Sequence, residues 1–176
     1  MPLITVDGFR EDAFTSLADD VALPDGAVLV SLPRFQAERD ALIARNAPLG
    51  VRLRSDESPE SLGEDVHRLS LVVLEFPKFR DGRAFSWARL LRTRQHFTGD
   101  IRAAGDFLID QIAYQRRVGF NEWDVAEGFA EGDLRRALSE ISNVYQPSAD
   151  GRKTIRDLRA TVRPPLGEPN PRTHRT

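Results

Sequence analysis

The sequence predicts an α/β protein in which about five strand–helix units form a parallel sheet flanked by helices. Short apolar, β-branched runs alternate with amphipathic segments of helical length through residues 27–141. Such alternation is typical of parallel strands joined by right-handed helical crossovers. The run LSLVVLEF, residues 69–76, is almost continuously apolar, as expected of a central strand. A flavodoxin-like open sandwich and a half-barrel both fit this pattern, because the alternation does not fix strand order.

The first two units occupy the N-terminal third of this region. Residues 27–32, AVLVSL, predict a strand, and the helical pattern of residues 34–46 follows it. LGVRL, residues 49–53, predicts the second strand. Ser58 and Pro59 then mark the start of a second helix, because serine caps helices and proline is tolerated in their first turn.

The remaining units follow the strand of residues 69–76. Asp106 and Asp133 each precede an amphipathic segment, and we expect both to cap helices. The elements predicted here are a helix at 84–94, a strand at 100–103, a helix at 107–117, a strand at 120–125 and a helix at 134–141.

Length and composition indicate one domain, at residues 1–149, followed by a flexible tail rich in proline and arginine at 150–176. The net charge of -2 argues against the concentrated basic face of a nucleic-acid-binding protein. No apolar run approaches the roughly 20 residues that cross a bilayer, and the first residues do not resemble a secretory leader. We therefore expect a cytoplasmic protein that contacts neither nucleic acid nor membrane.

The chain has no cysteine, which removes disulfides, thiol redox chemistry and thiolate-ligated iron–sulfur clusters from consideration. Its three histidines, His67, His96 and His174, are far apart in sequence, so no metal site is predicted. Neither a phosphate-binding loop of the Walker type nor a dinucleotide glycine motif is present. No cofactor is evident.

The loop PKFRDGR is the strongest candidate site, because ligands of parallel α/β sheets bind beyond the carboxyl ends of the strands. Lys78, Arg80 and Arg83 lie within six residues at the start of a helix, whose free amides favour an anion. An oxyanion, a phosphate or a partner's carboxylate would suit them. The simpler alternative is an Asp-Gly turn, with Asp81 as a helix cap and the cations in solvent.

A second candidate loop surrounds Arg102 and Asp106, which we expect to form an ion pair. Asp106 and Asp110 are one helical turn apart and would share a face, where they could hold a hard cation or share a proton. Alternatively, they are a helix cap and a solvated carboxylate. The candidate anion-binding or partner-binding residues are Lys78, Arg80, Asp81, Arg83, Arg102 and Asp106.

Three blocks in fixed order, FPKFRDGRAFSWARLLR, GDIRAAGDFLIDQ and RRVGFNEWDV, resemble a bacterial family known as domain of unknown function 934. The resemblance extends over about residues 27–146. The family's charged and polar signature falls on Phe79, Asp81, Gly82, Arg83, Arg92, Arg102, Gly105, Asp106, Asp110, Gln111, Gly119 and Phe120. Val118 departs from it, since similar proteins often carry cysteine there, and this implies a structural role for the position.

Members of this family are labelled oxidoreductases involved in sulfite reduction, a label that rests on gene neighbourhood beside assimilatory sulfite reductase. The resemblance thus implies an accessory protein of assimilatory sulfite reduction that binds a reductase or a small oxyanion through the arginine-rich loops. The alternative is an oxidoreductase or other enzyme acting on a small anionic substrate of sulfur metabolism. In that case Lys78, Arg83 and Arg102 would bind the anion, and Asp81 or Asp106 would act as a base. Whether the protein is an enzyme is left open.

Overall fold

A computed structural model of the protein describes residues 1–139 and 143–162 and places eight strands in one sheet. The strands are β1 (Leu3–Thr5), β2 (Gly8–Arg10), β3 (Thr15–Ser16), β4 (Val28–Ser31), β5 (Leu49–Leu53), β6 (Leu71–Phe76), β7 (Asp100–Gly105) and β8 (Glu122–Asp124).

Helices occupy most of the connections that follow β4. They are α1 (Leu32–Ala37), α2 (Arg39–Ile43), α3 (Arg83–Thr93), α4 (Ile112–Val118), α5 (Glu131–Ser139) and α6 (Ile155–Val162), with 3-10 segments at Pro59–Arg68 and Ile109–Gln111. Local sequence explains the first of them. Ser31 accepts a hydrogen bond from the Arg34 amide at 3.2 Å, and Pro33 lies in the first turn, where its missing N–H costs nothing.

The strands follow one another across the sheet in the order β2-β1-β8-β7-β6-β5-β4-β3. The strands from β3 to β8 are parallel, whereas β1 runs antiparallel to both β8 and β2. With β4 to β8 in sequential order, right-handed crossovers place the connecting helices on a single face. The fold is therefore a curled half-barrel, and a flavodoxin-like order, which needs helices on both faces, is not observed.

The connection between the two edge strands requires the curl. Residues 11–14, which we call the strap, join β2 to β3 at opposite edges of the sheet. The five backbone steps from Arg10 to Thr15 reach at most about 18 Å. Seven strand spacings in a flat sheet would measure about 34 Å. The sheet must therefore bend until the strap can cross its concave side.

The two faces of the sheet bury different side chains. The convex face packs Val51, Leu74, Ile101 and Trp123 into the main core with the helices. On the concave face, a smaller apolar cluster of Leu29, Leu71, Val73 and Ala104 packs against Phe14 of the strap. Because side chains alternate along a strand, the charged neighbours of the core residues point into the concave side. They are Arg52, Glu75, Arg102, Glu122 and Asp124.

The predicted α/β class and the half-barrel alternative are confirmed, but the strand count and the wholly parallel sheet are wrong. The five predicted strands correspond to β4–β8, and the three strands within residues 3–16 were not predicted. Asp106 does not cap the following helix. Leu108 precedes the 3-10 turn, and the Asp106 carboxylate accepts a hydrogen bond from the Phe79 amide instead. Asp133 likewise lies inside the first turn of α5.

Helix α6 lies within the segment predicted as a tail. Thr154 and Asp157 cap it, with the Thr154 amide 2.8 Å from Asp157 Oδ2, and the Ile155 amide donates to the Val144 carbonyl. Residues 163–176 and the end of the last predicted helix, at 140–141, lie outside the described residues. The domain boundary at 149 and the flexible tail stay predictions. Of the helices described, none is long and apolar enough to span a membrane.

Candidate functional site

The concave face holds a cavity of about 550 Å³ near the carboxyl ends of the parallel strands. Binding sites of parallel α/β proteins lie at this end of the sheet, and the volume is within the usual range for small ligands. Its charged lining comes from the strap, four strands and one loop: Asp12, Arg52, Glu75, Arg102, Asp106 and Asp124.

Arg102 is the central charge of the concave face and is 2% exposed. Its Nε donates to Glu122 Oε2 at 3.0 Å, and its two terminal nitrogens donate to the Asp12 carboxylate at 2.7 and 2.9 Å. Asp124 Oδ1 lies 3.7 Å from Nη1. Three carboxylates thus surround one guanidinium, its hydrogen bonds use three of its five N–H groups, and the negative charge of the carboxylates disfavours an added anion.

The carboxylates around Arg102 differ in their proton affinity. Burial raises the pKa of Glu122 and of Asp124, and the attraction of Arg102 only partly opposes this. Burial acts in the same direction on Asp12. However, hydrogen bonds from Arg102 and from the Phe14 amide outweigh it and lower the pKa of Asp12. The Asp12 carboxylate therefore ionises more readily than Asp124, because burial disfavours the charged form of Asp124.

A second ion pair, between Arg52 and Glu75, joins β5 to β6. Arg52 Nη1 lies 3.2 Å from Glu75 Oε1, and each side chain is 33% exposed. Within residues 1–139 and 143–162, the Arg52 side chain makes no further hydrogen bond. Much of its guanidinium therefore remains available to a ligand, in contrast to that of Arg102.

The loop between β6 and α3, residues 77–82, is held by the loop that follows β7. The Phe79 amide donates to Asp106 Oδ2 at 3.3 Å, and the Phe79 carbonyl accepts from Gln111 Nε2 at 2.9 Å. The Phe79 ring is 40% exposed, and the Arg80 guanidinium lies 5.3 Å from its centre. We call this segment the Phe79 loop. Its backbone is fixed, while the side chains of Lys78, Phe79 and Arg80 face solvent.

Asp81 and Arg83 form their own ion pair at the start of α3. Arg83 Nε and Nη2 donate to the two Asp81 oxygens at 3.0 and 2.6 Å, and Nη2 also reaches Ser55 Oγ at 2.9 Å. These hydrogen bonds hold the pKa of Asp81 well below its usual range. The pair fixes the start of α3 beside the end of β5 and does not line the cavity.

The structure brings together only two of the six candidate site residues. Arg102 and Asp106 line the cavity, whereas Lys78 and Arg80 are exposed on the Phe79 loop and Asp81 and Arg83 pair with each other. The prediction of an ion pair between Arg102 and Asp106 is wrong. The Arg102 side chain points across the concave face to β8 and the strap, and Asp106 turns back to the Phe79 amide.

Sequence reasoning missed three of the cavity's six charged residues: Asp12, Arg52 and Glu75. A signal for some of them was present, because charged residues rarely occur inside buried strands without a partner. Arg52 stands between Val51 and Leu53, and Glu75 between Leu74 and Phe76. Nothing in the pattern of the strap distinguishes Asp12 from other loop aspartates. In the part of the chain that the structure describes, no group of three or more histidines and acidic residues is placed to hold a metal ion.

Together, the half-barrel and its cavity define an α/β protein with a ligand-sized site at the carboxyl ends of its strands. The chain belongs to the family described as bacterial protein of unknown function (DUF934), whose model matches residues 50–156. The match extends from β5 into α6. It includes Arg52, Glu75, Arg102 and Asp124 but excludes the strap. Comparisons with curated proteins and with solved structures gave no significant match.

Proposed function

We propose that the protein is a non-catalytic accessory component of assimilatory sulfite reduction and docks on a reductase through the Phe79 loop. The observation that supports this is the fixed presentation of an exposed aromatic ring between two cations. Phe79 is held at both its amide and its carbonyl, and Lys78 and Arg80 flank it in solvent.

Such an arrangement suits protein recognition. Aromatic and arginine side chains are enriched among the residues that dominate binding energies at protein interfaces. A loop whose backbone is already fixed loses less conformational freedom when it binds. The two cations would attract an acidic patch on the partner and accelerate the encounter. A reductase surface with a hydrophobic pocket and an acidic rim is the partner chemistry that this loop fits.

The assignment to sulfite reduction comes from the family resemblance, and the composition is consistent with it. The sequence contains no cysteine, so thiolate ligands for an iron–sulfur cluster must come from another protein. In this proposal the chain recognises the reductase, and the reductase carries out the electron transfer.

The geometry favours docking over an enzyme that acts on a small anion. Arg102 is surrounded by carboxylates, and Arg83 is held by Asp81. Of the four candidate cations, only Lys78 and Arg80 remain, and both lie on an open surface. An open pair of cations binds a small oxyanion weakly in physiological salt, because solvent and ions screen their charge.

The proposal is tested by biolayer interferometry between the full chain and purified assimilatory sulfite reductase of the same organism. Phe79→Ala should weaken binding about tenfold or more, as expected for a central aromatic contact. Phe9→Ala is the matched control, because Phe9 is also exposed, at 46%, but lies on β2. Lys78→Glu and Arg80→Glu should slow association and reduce its salt dependence.

A wild-type chain that does not associate with the reductase would remove the docking proposal. Loss of binding in Phe9→Ala equal to that in Phe79→Ala would place the interface elsewhere. A deletion strain that grows normally on sulfate as its sulfur source would contradict the assignment to sulfite reduction.

A further inference from the structure

Two charged side chains of the cavity retain unused binding capacity. Arg52 contacts Glu75 through one nitrogen only. The Asp124 carboxylate accepts no hydrogen bond from the residues that the structure describes, and its nearest cation is Arg102 Nη1 at 3.7 Å. Its side chain is only 17% exposed, so solvent does not fully replace the missing donors. A partly buried carboxylate without donors is costly unless something else supplies them.

We infer that the cavity binds a small zwitterion, such as a free amino acid, with its anionic group on Arg52 and its ammonium group on Asp124. A planar guanidinium matches a carboxylate through two parallel hydrogen bonds. An ammonium group supplies the donors that Asp124 lacks. This site is separate from the Phe79 loop and does not depend on the docking proposal.

The positions of the two side chains fit a ligand with two separated charges. Arg52 lies on β5, and Asp124 lies three strands away on β8, two residues beyond the position level with Arg52. Together these offsets measure about 16 Å on a flat sheet. The inward curl and the length of the arginine side chain shorten this gap, and Arg52 is close enough to oppose the rise in the pKa of Asp124. The cavity volume of about 550 Å³ also leaves room for a ligand side chain.

The remaining charges of the cavity disfavour ligands with one sign of charge. Asp12, Glu75 and Asp106 would repel a simple anion, and Arg102 and the N-terminal ammonium group of Met1 would repel a simple cation. A metal ion is not favoured either, because no suitable group of three or more ligands occurs among residues 1–139 and 143–162. A molecule that carries both charges meets a complementary group at each end.

Isothermal titration calorimetry on the full chain tests this inference. Each common L-amino acid is titrated up to about 10 mM, a range that detects millimolar dissociation constants. At least one should bind. For the tightest binder, the analogue without the amino group and the analogue without the carboxyl group should each bind about tenfold more weakly or worse, since each loses one ionic contact.

Variants then assign the two ends of the ligand. Arg52→Gln and Asp124→Asn should each lower affinity about tenfold or more. Arg54→Gln is the matched control, because Arg54 follows the same strand but is 65% exposed and pairs with Asp56 and Glu57. Urea unfolding curves establish that each variant folds, and Arg52→Gln alone suffices if Asp124→Asn does not.

Several results would overturn the inference. The absence of binding by every amino acid is one. Binding that survives in both Arg52→Gln and Asp124→Asn is another. Equal binding of the analogue that lacks the amino group would remove the role of Asp124 and leave only an anion site.

Discussion

Both carboxylate oxygens of Asp12 accept hydrogen bonds from the buried guanidinium of Arg102, at 2.7 and 2.9 Å, although 90 residues separate Asp12 from Arg102 in sequence. The contact ties the strap to the middle of the sheet. Arg102 also holds Glu122 on the neighbouring strand. One side chain therefore links three segments of the half-barrel, and loss of any partner leaves charge on the concave face without compensation.

Asp12→Ala should lower the free energy of unfolding by about 2 kcal/mol. This lies below the roughly 3–5 kcal/mol typical of a broken, fully buried pair, because Asp12 is partly exposed and water can reach the gap. Urea denaturation measures the difference. Asp25→Ala, in an exposed loop, is the control and should change stability little. Equal stability of wild type and Asp12→Ala would mean that the strap is not held by this contact.

Asp124→Asn should stabilise the protein near neutral pH, and the gain should shrink in mild acid. Burial raises the pKa of Asp124, so the folded state binds its proton more readily than the unfolded chain does. Wild-type stability from this group therefore rises as the pH falls through the folded pKa and is lost as the pH rises, whereas asparagine does not titrate. Urea unfolding from mildly acidic to neutral pH, with Asp20→Asn as the control, measures how the free energy of unfolding depends on pH. If the stabilisation by Asp124→Asn instead grew as the pH fell, the predicted direction of the pH dependence would be wrong.

Gly105→Ala should lower the free energy of unfolding by about 3 kcal/mol, because it adds both backbone strain and a steric clash. Gly105 has a φ of 100°, and an added Cβ would lie 2.3 Å from the Phe76 carbonyl oxygen. Gly82 offers the matched comparison, because it has a negative φ and open space around its Cα. Thermal and urea unfolding of the two alanine variants should differ clearly, and similar stabilities would argue against the close approach of β6 and β7.

Asp106→Ala should release the backbone of the Phe79 loop without unfolding the protein. The carboxylate accepts the Phe79 amide at 3.3 Å, so its removal should speed amide hydrogen exchange at Phe79 about three- to tenfold. Exchange measured by NMR gives the rate. Asp110→Ala, four residues further along the chain, is the control. Unchanged exchange at Phe79 in Asp106→Ala would show that Gln111 alone fixes the loop.

The parallel part of the fold was predictable because its signals are local. Runs such as residues 69–76 are too apolar to lie anywhere but in a buried strand, and the segments between them repeat at helical spacing. The first sixteen residues gave no such signal. Strands β1 and β2 have three residues each and β3 has two. Elements this short depend on pairing with distant strands more than on their own sequence.

The candidate site was predictable only where chain neighbours also meet in space. Asp81 and Arg83 are two residues apart, and their pairing follows from the turn that they share. The partners of Arg102 could not be found in this way, because Asp12 and Glu122 lie 90 and 20 residues away. Their meeting depends on strand order and on the curl of the sheet, neither of which a local pattern contains.

The pairing of the first strand with the last has a consequence for how the protein forms during synthesis. Ile4 of β1 lies opposite Trp123 of β8, and both side chains are fully buried. The N-terminal strand can pair with β2 early, but its second partner, β8, becomes available only when residue 124 has left the ribosome. Contacts between such distant residues form slowly, and chains that wait for them expose apolar surface. The full eight-stranded sheet can therefore be completed only late in translation.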